Sequence, residues 1–499
     1  MCREEVVSRL MLILVGVGLL VSGCSNKKPV EPEPDTEYTL TVFMEEAVEG
    51  FPPSGSYQYA PDCSVNYGYR ALPDFFDLTV TLDEQAIPAE GSVVMDSDHE
   101  LQATADRRIL WRFSTPHSVY YSSAAVGDDG AIYFGSGLYT LDQGWSPGIL
   151  YALNPDGTLK WSRSIGEALF SPAIGLNGNI FIMDRTYTVY AFSPDGALLW
   201  TFHDFSFPGF VKRDMGQRTP AIGTDGTVYV GADGLYALDA ANGNRLWHVP
   251  RRSNPTKECI ASPVIGRDGV IYVVIGQDSL YAIRADGSVK WTFGFAHDHE
   301  LSFADPTLAA DGMIYIPSES YSAGAYVYAI NEDGALEWKY RIEDDRYVRA
   351  SITIGQDGTL YMTTKAGGAD RNARLIALSP SGHKQWHYVL EGVHITGDDS
   401  YSTPSIGDDG MIYFGAESGY LYALQPDGTL AWKHEVANGV NWSSPAILTD
   451  GTLLIGGMGY GENYSGQFTA VLIGSHGYAS SPWPRFRCDD KNSGRFRGS

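Results

Sequence analysis

Apolar residues in this chain come in short runs separated by turn residues, and the runs recur in a fixed order. The clearest copy reads Ser402-Thr403-Pro404-Ser405-Ile406-Gly407-Asp408-Asp409-Gly410-Met411-Ile412-Tyr413-Phe414-Gly415, then Leu421-Tyr422-Ala423-Leu424, then Pro426-Asp427-Gly428-Thr429-Leu430-Ala431-Trp432. Short apolar runs bounded by Gly, Pro and Asp predict buried strands, and no amphipathic helical pattern longer than about two turns follows the first two dozen residues. The unit occurs eight times, each copy closing on a tryptophan: Trp111, Trp161, Trp200, Trp247, Trp291, Trp338, Trp386 and Trp432, spaced 39 to 50 residues apart. That period predicts one four-stranded blade per copy, hence an all-β, eight-bladed β-propeller.

Turn chemistry supports the same division. Asp-Gly recurs between the first and second runs (Asp129-Gly130, Asp409-Gly410) and between the third and fourth (Asp156-Gly157, Asp427-Gly428). It favours the left-handed backbone of a tight hairpin. A calcium loop would need several oxygens at alternate positions, which no repeat supplies. Pro172, Pro220, Pro263, Pro306, Pro404 and Pro445 stand near the start of the first strand. Proline cannot donate a ladder bond, so this strand should be the innermost one, with a free edge on the central channel. The repeated tryptophan buries on the order of 150–250 Å², which suits a wedge between neighbouring blades. The eighth copy lacks its own fourth strand, whereas Arg108-Ile109-Leu110-Trp111-Arg112-Phe113 is a fourth strand without a blade. Pairing the two would close the ring and leave neither edge exposed.

The ends have their own organisation. Residues 1–24 read as a targeting segment: Arg3 and Arg9, an apolar run from Leu10 to Leu20, then Val21-Ser22-Gly23-Cys24. The run is short for a membrane span. Small residues before a cysteine resemble the bacterial lipobox, which implies cleavage and a lipid on Cys24; a plain secretory signal is the alternative. Ser25 after the lipid site implies the outer membrane, with the protein periplasmic or surface-facing. Residues 25–37 are a Pro/Glu-rich tether. Residues 38–105 alternate as half-buried strands, a small all-β module similar to bacterial surface repeats. Residues 106–478 form the propeller and 479–499 a C-terminal tail.

Composition narrows the partners. The 499 residues carry a formal net charge of −25, which argues against nucleic acid and against docking on anionic lipid. Membrane contact is then through the lipid anchor only, and the protein reads as a monomer. Cys63, Cys259 and Cys488 form no C-x-x-C; a Cys259–Cys488 disulfide and two separate thiols both remain open. The Asp-Gly turns lie at one end of the blades, so the variable loops gather at the other. They carry Arg213, Arg251, Arg252, His297, Asp298, His299, Arg346, Arg349, His394 and Trp442, the candidate binding residues. His297, His299 and Glu300 would be the metal candidates, but such spacing on a loop is weak and the default is a solvated loop. The arginines could clamp a carboxylate or an anionic glycan, or pair with neighbouring carboxylates.

The Ser-Pro-Ala-Ile-Gly, Asp-Gly-Thr-Val-Tyr-Val-Gly and Leu-Tyr-Ala-Leu segments resemble the repeat of the pyrroloquinoline-quinone-like (PQQ-like) propeller family. Asp239-Ala240-Ala241-Asn242-Gly243-Asn244-Arg245-Leu246-Trp247 is similar to its tryptophan-docking motif. Ser481-Pro482-Trp483-Pro484-Arg485-Phe486-Arg487, with Asn492 and Gly494, resembles a terminal signature of its envelope lipoproteins, among them the propeller lipoprotein of the outer-membrane β-barrel assembly machine. The family's quinoprotein enzymes carry adjacent cysteines and a calcium site, and this chain has no adjacent cysteines. The expectation is therefore a scaffold without cofactor, PQQ included, with no catalytic residue and no metal, that binds an envelope protein or glycan. The alternative is an enzyme, either a degenerate quinoprotein oxidoreductase or a carbohydrate-active propeller.

Overall fold

Each repeat folds where its punctuation directs. The computed structural model describes residues 37–496 except 73–74, 138, 141–143, 168–169, 204–217, 251–260, 277, 296–299, 321–323, 343–346, 366–372, 391–398, 441 and 460–464. The described residues contain strands and turns and no helix. The chain divides into two units, Met1–Arg108 and Ile109–Ser499.

The first unit places Tyr38–Met44 parallel to His99–Arg107 at the centre of a five-stranded sheet, with Val42 opposite Leu101. A second sheet joins Val48–Phe51, Ser64–Ala71 and Glu90–Val94. Alternation sends Leu40, Val42, Val80, Val93 and Leu101 into one core with Tyr67 and Tyr69.

The second unit is a β-propeller. Among the described residues its strands form nine sheets, eight of them with the same four-strand path from inner to outer edge and one a two-stranded pairing of Tyr139–Thr140 with Gly144–Trp145. In the clearest copy these strands are Ser405–Ile406, Ile412–Gly415, Tyr420–Leu424 and Leu430–Glu435, all antiparallel. Second strands such as Ile412–Gly415 are buried at every residue, because a sheet stacked on both sides has no solvent face. Outer strands such as Leu430–Glu435 keep exposed residues. One sheet is wider: Glu300–Leu301 adds to Ile314–Ser320.

The hairpins use aspartate as the sequence suggests. Asp409 Oδ1 accepts the Met411 amide at 3.0 Å and Gly410 has φ +82°, a local carboxylate turn repeated at Asp129, Asp225, Asp268, Asp311, Asp357 and Asp450. These aspartates are occupied by the backbone.

Tryptophan joins each sheet to the next. Nε1 of Trp111, Trp161, Trp200, Trp247, Trp291, Trp338 and Trp386 donates, at 2.8 to 3.2 Å, to a carbonyl in the outer hairpin of the following sheet. The ring lies on the glycine of that hairpin. Trp432 packs with Tyr413 beside Ile447.

The ends meet. Ile109–Thr115 pairs antiparallel with Gly466–Leu472, bringing Trp111 opposite Ala470 and completing the last sheet with the first strand of the unit.

The tail then crosses the turn end of the channel. Carbonyls of Trp483, Pro484, Asp490, Lys491, Ser493 and Gly494 accept, at 2.7 to 2.9 Å, from the amides of Ile354, Ile406, Val126, Ile174, Ile222 and Ile265. Each of those amides ends an inner strand. Tyr478 Oη accepts from Ile447 in the same way at 2.7 Å. Free inner edges are satisfied by the tail, which explains why the inner strands pair over only two residues yet remain ordered.

Candidate functional site

The inner strands line the channel, and the residue two positions before each takes part in a relay of seven steps, interrupted between Ser171 and Thr219. The amide of Ser123 donates to Ser171 Oγ, Thr219 to Ser262, Ser262 to Asp305, Asp305 to Ser351, Ser351 to Thr403, Thr403 to Ser444 and Ser444 back to Ser123, all at 2.7 to 3.1 Å. Asp305 stands where its counterparts carry hydroxyls. Its second carboxylate oxygen faces the Arg487 guanidinium of the tail at 3.7 Å, and both side chains are buried. Burial pushes the Asp305 carboxyl up and the Arg487 guanidinium down, each opposed by the charge of the other.

Two positions further toward the loop end, the channel mouth is aromatic. The described residues at that place are Tyr121, Phe303, Arg349, Tyr401 and Trp442. Three neighbouring sheets are linked by stacking: the Arg349 guanidinium lies 4.6 Å from the Phe303 ring centroid and 5.9 Å from that of Tyr401. Tyr401 stacks on Trp442 of the next sheet, 4.7 Å between centroids and 5° from parallel. Burial pushes the Tyr121 hydroxyl up to about 12, with Arg185 pulling down and Tyr401 pushing up, so Tyr121 and Tyr401 share this mouth.

Two ion pairs stand among the described residues of the mouth. Arg349 Nη2 meets Glu319 Oε1 at 3.1 Å, with the two side chains 12% and 5% exposed. Burial raises the Glu319 carboxyl against the opposing pull of Arg349. Lys365 Nζ meets Asp399 at 3.1 Å and sits 5.5 Å from the Tyr401 ring. Burial acts against its charge, but Tyr401 and Asp399 win and hold the ammonium above its ordinary value. Among the described residues, this surface offers stacking groups and internally paired charges.

Of the ten candidate loop residues, the structure describes two, Arg349 and Trp442, and brings them into this one cluster on either side of Tyr401. Arg349 is paired with Glu319. Trp442 is only 2% exposed and serves as the floor beneath Tyr401. Arg213, Arg251, Arg252, His297, Asp298, His299, Arg346 and His394 lie outside the described residues, as does the lipidation candidate Cys24. So does Cys259; its possible partner Cys488 is buried, with Sγ 3.3 Å from the Pro482 carbonyl. Sequence reasoning missed Tyr121, Phe303 and Tyr401. They stand four residues before their inner strands, but their residue types share no pattern that marks the position.

A family model described as outer membrane protein assembly factor BamB matches residues 90–292 and 277–457. A curated outer membrane protein assembly factor BamB, from Burkholderia pseudomallei, is 28% identical over 131 residues, which is 26% of this chain and 32% of that protein. The chain thus spans about a third of the length of that curated relative. Among solved structures, BamB from Moraxella catarrhalis aligns with TM-score 0.54 and 14% identity over 73% of this chain and 99% of that one. Sqt1 from Saccharomyces cerevisiae aligns with TM-score 0.56 and 13% identity, again over 73% and 99%. At such identities the structural likeness is one of fold.

Proposed function

This chain belongs to the family of the outer membrane protein assembly factor BamB, and we propose from that membership that it is a non-catalytic, lipid-anchored protein-binding scaffold of the bacterial envelope. Its propeller is read as eight-bladed. Eight repeats, eight sheets of the four-strand path and the bond that returns from Ser444 to Ser123 support that count. Cys24 carries the lipid, residues 25–37 hold the folded part away from the membrane, and the loop end of the channel presents the binding surface. Cys24→Ser should then move the protein from the membrane fraction to the soluble one; unchanged membrane association would refute the anchor.

One observation carries the binding reading: the stacked cluster Phe303–Arg349–Tyr401–Trp442 at the channel mouth, with its charges paired internally. Aromatic groups fixed by stacking give contact area at little entropic cost, as protein-binding surfaces require. The carboxylates there are held by arginine and lysine, an arrangement suited to positioning rather than to proton transfer.

The test is site-specific photo-crosslinking in the native host. A photoreactive residue replacing Tyr121 or Phe303 should capture a discrete envelope protein. One replacing Leu198, 54% exposed on an outer strand, should not. Equal capture from Leu198, or none from the mouth positions, would refute the assignment of the surface.

A further inference from the structure

The tail's place in the channel is built by residues remote from it in sequence. Asn492 Nδ2 donates to the carbonyls of Ala124 at 3.1 Å and Pro172 at 3.0 Å, and Arg487 Nη2 donates to Pro220 at 3.2 Å. Arg485 Nη2 reaches Ala124 at 3.2 Å and braces Asn492 Oδ1 at 3.0 Å. Ala124, Pro172 and Pro220 belong to three successive sheets, so these acceptors converge only when the ring is assembled. The acceptor groups of this surface therefore come from the ring alone.

The bonding itself is of a transferable kind. Six inner strands each donate one amide to a tail carbonyl, main chain to main chain, a set of contacts that any chain of the right shape can make. Arg485, Arg487 and Asn492 supply the register: each is buried and each reads carbonyls or carboxylates at one place in the ring. Asp305 breaks the hydroxyl pattern of the relay at the one position that faces Arg487. A ring that needed the tail only as filler would have no use for that exchange.

We propose that the turn end of the channel is a peptide-binding site, and that its ligand is the chain's own residues 478–496, held there as an intramolecular guest. The site recognises a turn-rich segment, Trp-Pro-Arg-Phe-Arg followed by Asn, in which Arg487, Cys488 and Asn492 have positive φ, through inner-strand amides and the Asp305 carboxylate. The covalent link raises the guest's effective concentration, and the same segment binds when supplied as a separate molecule. With this end occupied, a partner approaching the channel axis is confined to the aromatic mouth at the other.

A protein truncated after Gly477 is titrated with a synthetic peptide of residues 478–499, followed by Trp483 fluorescence. Saturable one-to-one binding is expected, weakened on the order of tenfold or more when the peptide carries Arg487→Ala and Asn492→Ala. A folded ring that ignores the peptide, or binds both peptides equally, overturns the proposal. Should the truncated chain not fold, the full chain with a protease site inserted at the exposed Gly474 is cut after folding and passed through gel filtration. The native tail fragment should co-elute with the ring and the doubly substituted one should separate. A native fragment that elutes alone, or a substituted one equally retained, overturns it.

Discussion

Gly243 has φ +74° and lies under Trp200: a Cβ placed on it would come within 2.6 Å of the indole. Six other hairpin glycines meet the tryptophan of the preceding sheet in the same way, at 2.4 to 3.0 Å. The left-handed backbone alone makes Gly243→Ala cost ~1–2 kcal/mol, and the clash with the indole adds to it. Trp200→Ala should cost about 3–5 kcal/mol, with loss of the bond to Ala240. Denaturant midpoints of the two single variants and the double check this: because both act on one contact, the double should fall short of the sum. A second residue-scale device sits in the first unit. His99 Nδ1 meets Asp83 at 2.7 Å and Nε2 meets Asp96 at 2.9 Å. Burial works against the imidazolium, but the two carboxylates outweigh it and raise its pKa. Burial likewise pushes Asp83 up, and the Glu100 amide and His99 outweigh it and bring it down. The raised His99 contributes stability that is complete below about pH 6.5 and fades as pH rises through its folded pKa. The lowered Asp83 contributes above its unfolded value near 4 and is lost as pH falls through its folded pKa. The module's thermal midpoint should therefore peak between the two and decline toward alkaline pH; His99→Gln should remove that decline, and an unchanged profile would contradict the assignment.

At the scale of elements, register decides whether the ring closes. Ile109–Thr115 alternates, with Phe113 and Thr115 turned inward and Arg112 and Ser114 outward, and it is fixed opposite Gly466–Leu472. One residue inserted between Trp111 and Arg112 would turn every side chain after it to the wrong face. The propeller's thermal midpoint should fall and its near-ultraviolet circular dichroism weaken, while the same insertion beside Ser97, in the first unit, should leave the propeller transition where it was. This pairing was legible in the sequence because an unpaired fourth strand at one end matched a missing one at the other. The hairpins were legible because Asp-Gly specifies a backbone conformation wherever it stands. The aromatic mouth was not, for a physical reason. Its recurring position carries Tyr121, Phe303, Arg349, Tyr401 and Trp442, residue types with no shared pattern, and only the ring's curvature stacks them. Arg349 and Trp442 stood out as unusual loop residues, but Glu319 reads as an ordinary strand residue until Arg349 is beside it.

For the molecule as a whole, the tail joins seven separate inner edges into one satisfied surface, and a buried ion pair tests how closely ring and tail are matched. Nothing in the tail's sequence announces this, since its partners are carbonyls and amides that every chain possesses. Asp305 and Arg487 lie 182 residues apart, and both are fully enclosed. Removing one partner leaves a buried charge without its compensating partner, so Arg487→Ala should destabilise by about 3–5 kcal/mol. Asp305→Ser alone restores the hydroxyl that the other relay positions carry but strands the guanidinium, and should cost a similar amount. Asp305→Ser with Arg487→Met removes both charges, keeps the relay acceptor for the Ser262 amide and fills the volume with an apolar chain. Replacement of a buried pair in this way is often neutral or stabilising. The double variant should therefore melt close to the parent and far above either single variant. Additive losses would mean that Asp305 and Arg487 act independently, and that the departure from serine at this one relay position serves something other than the tail.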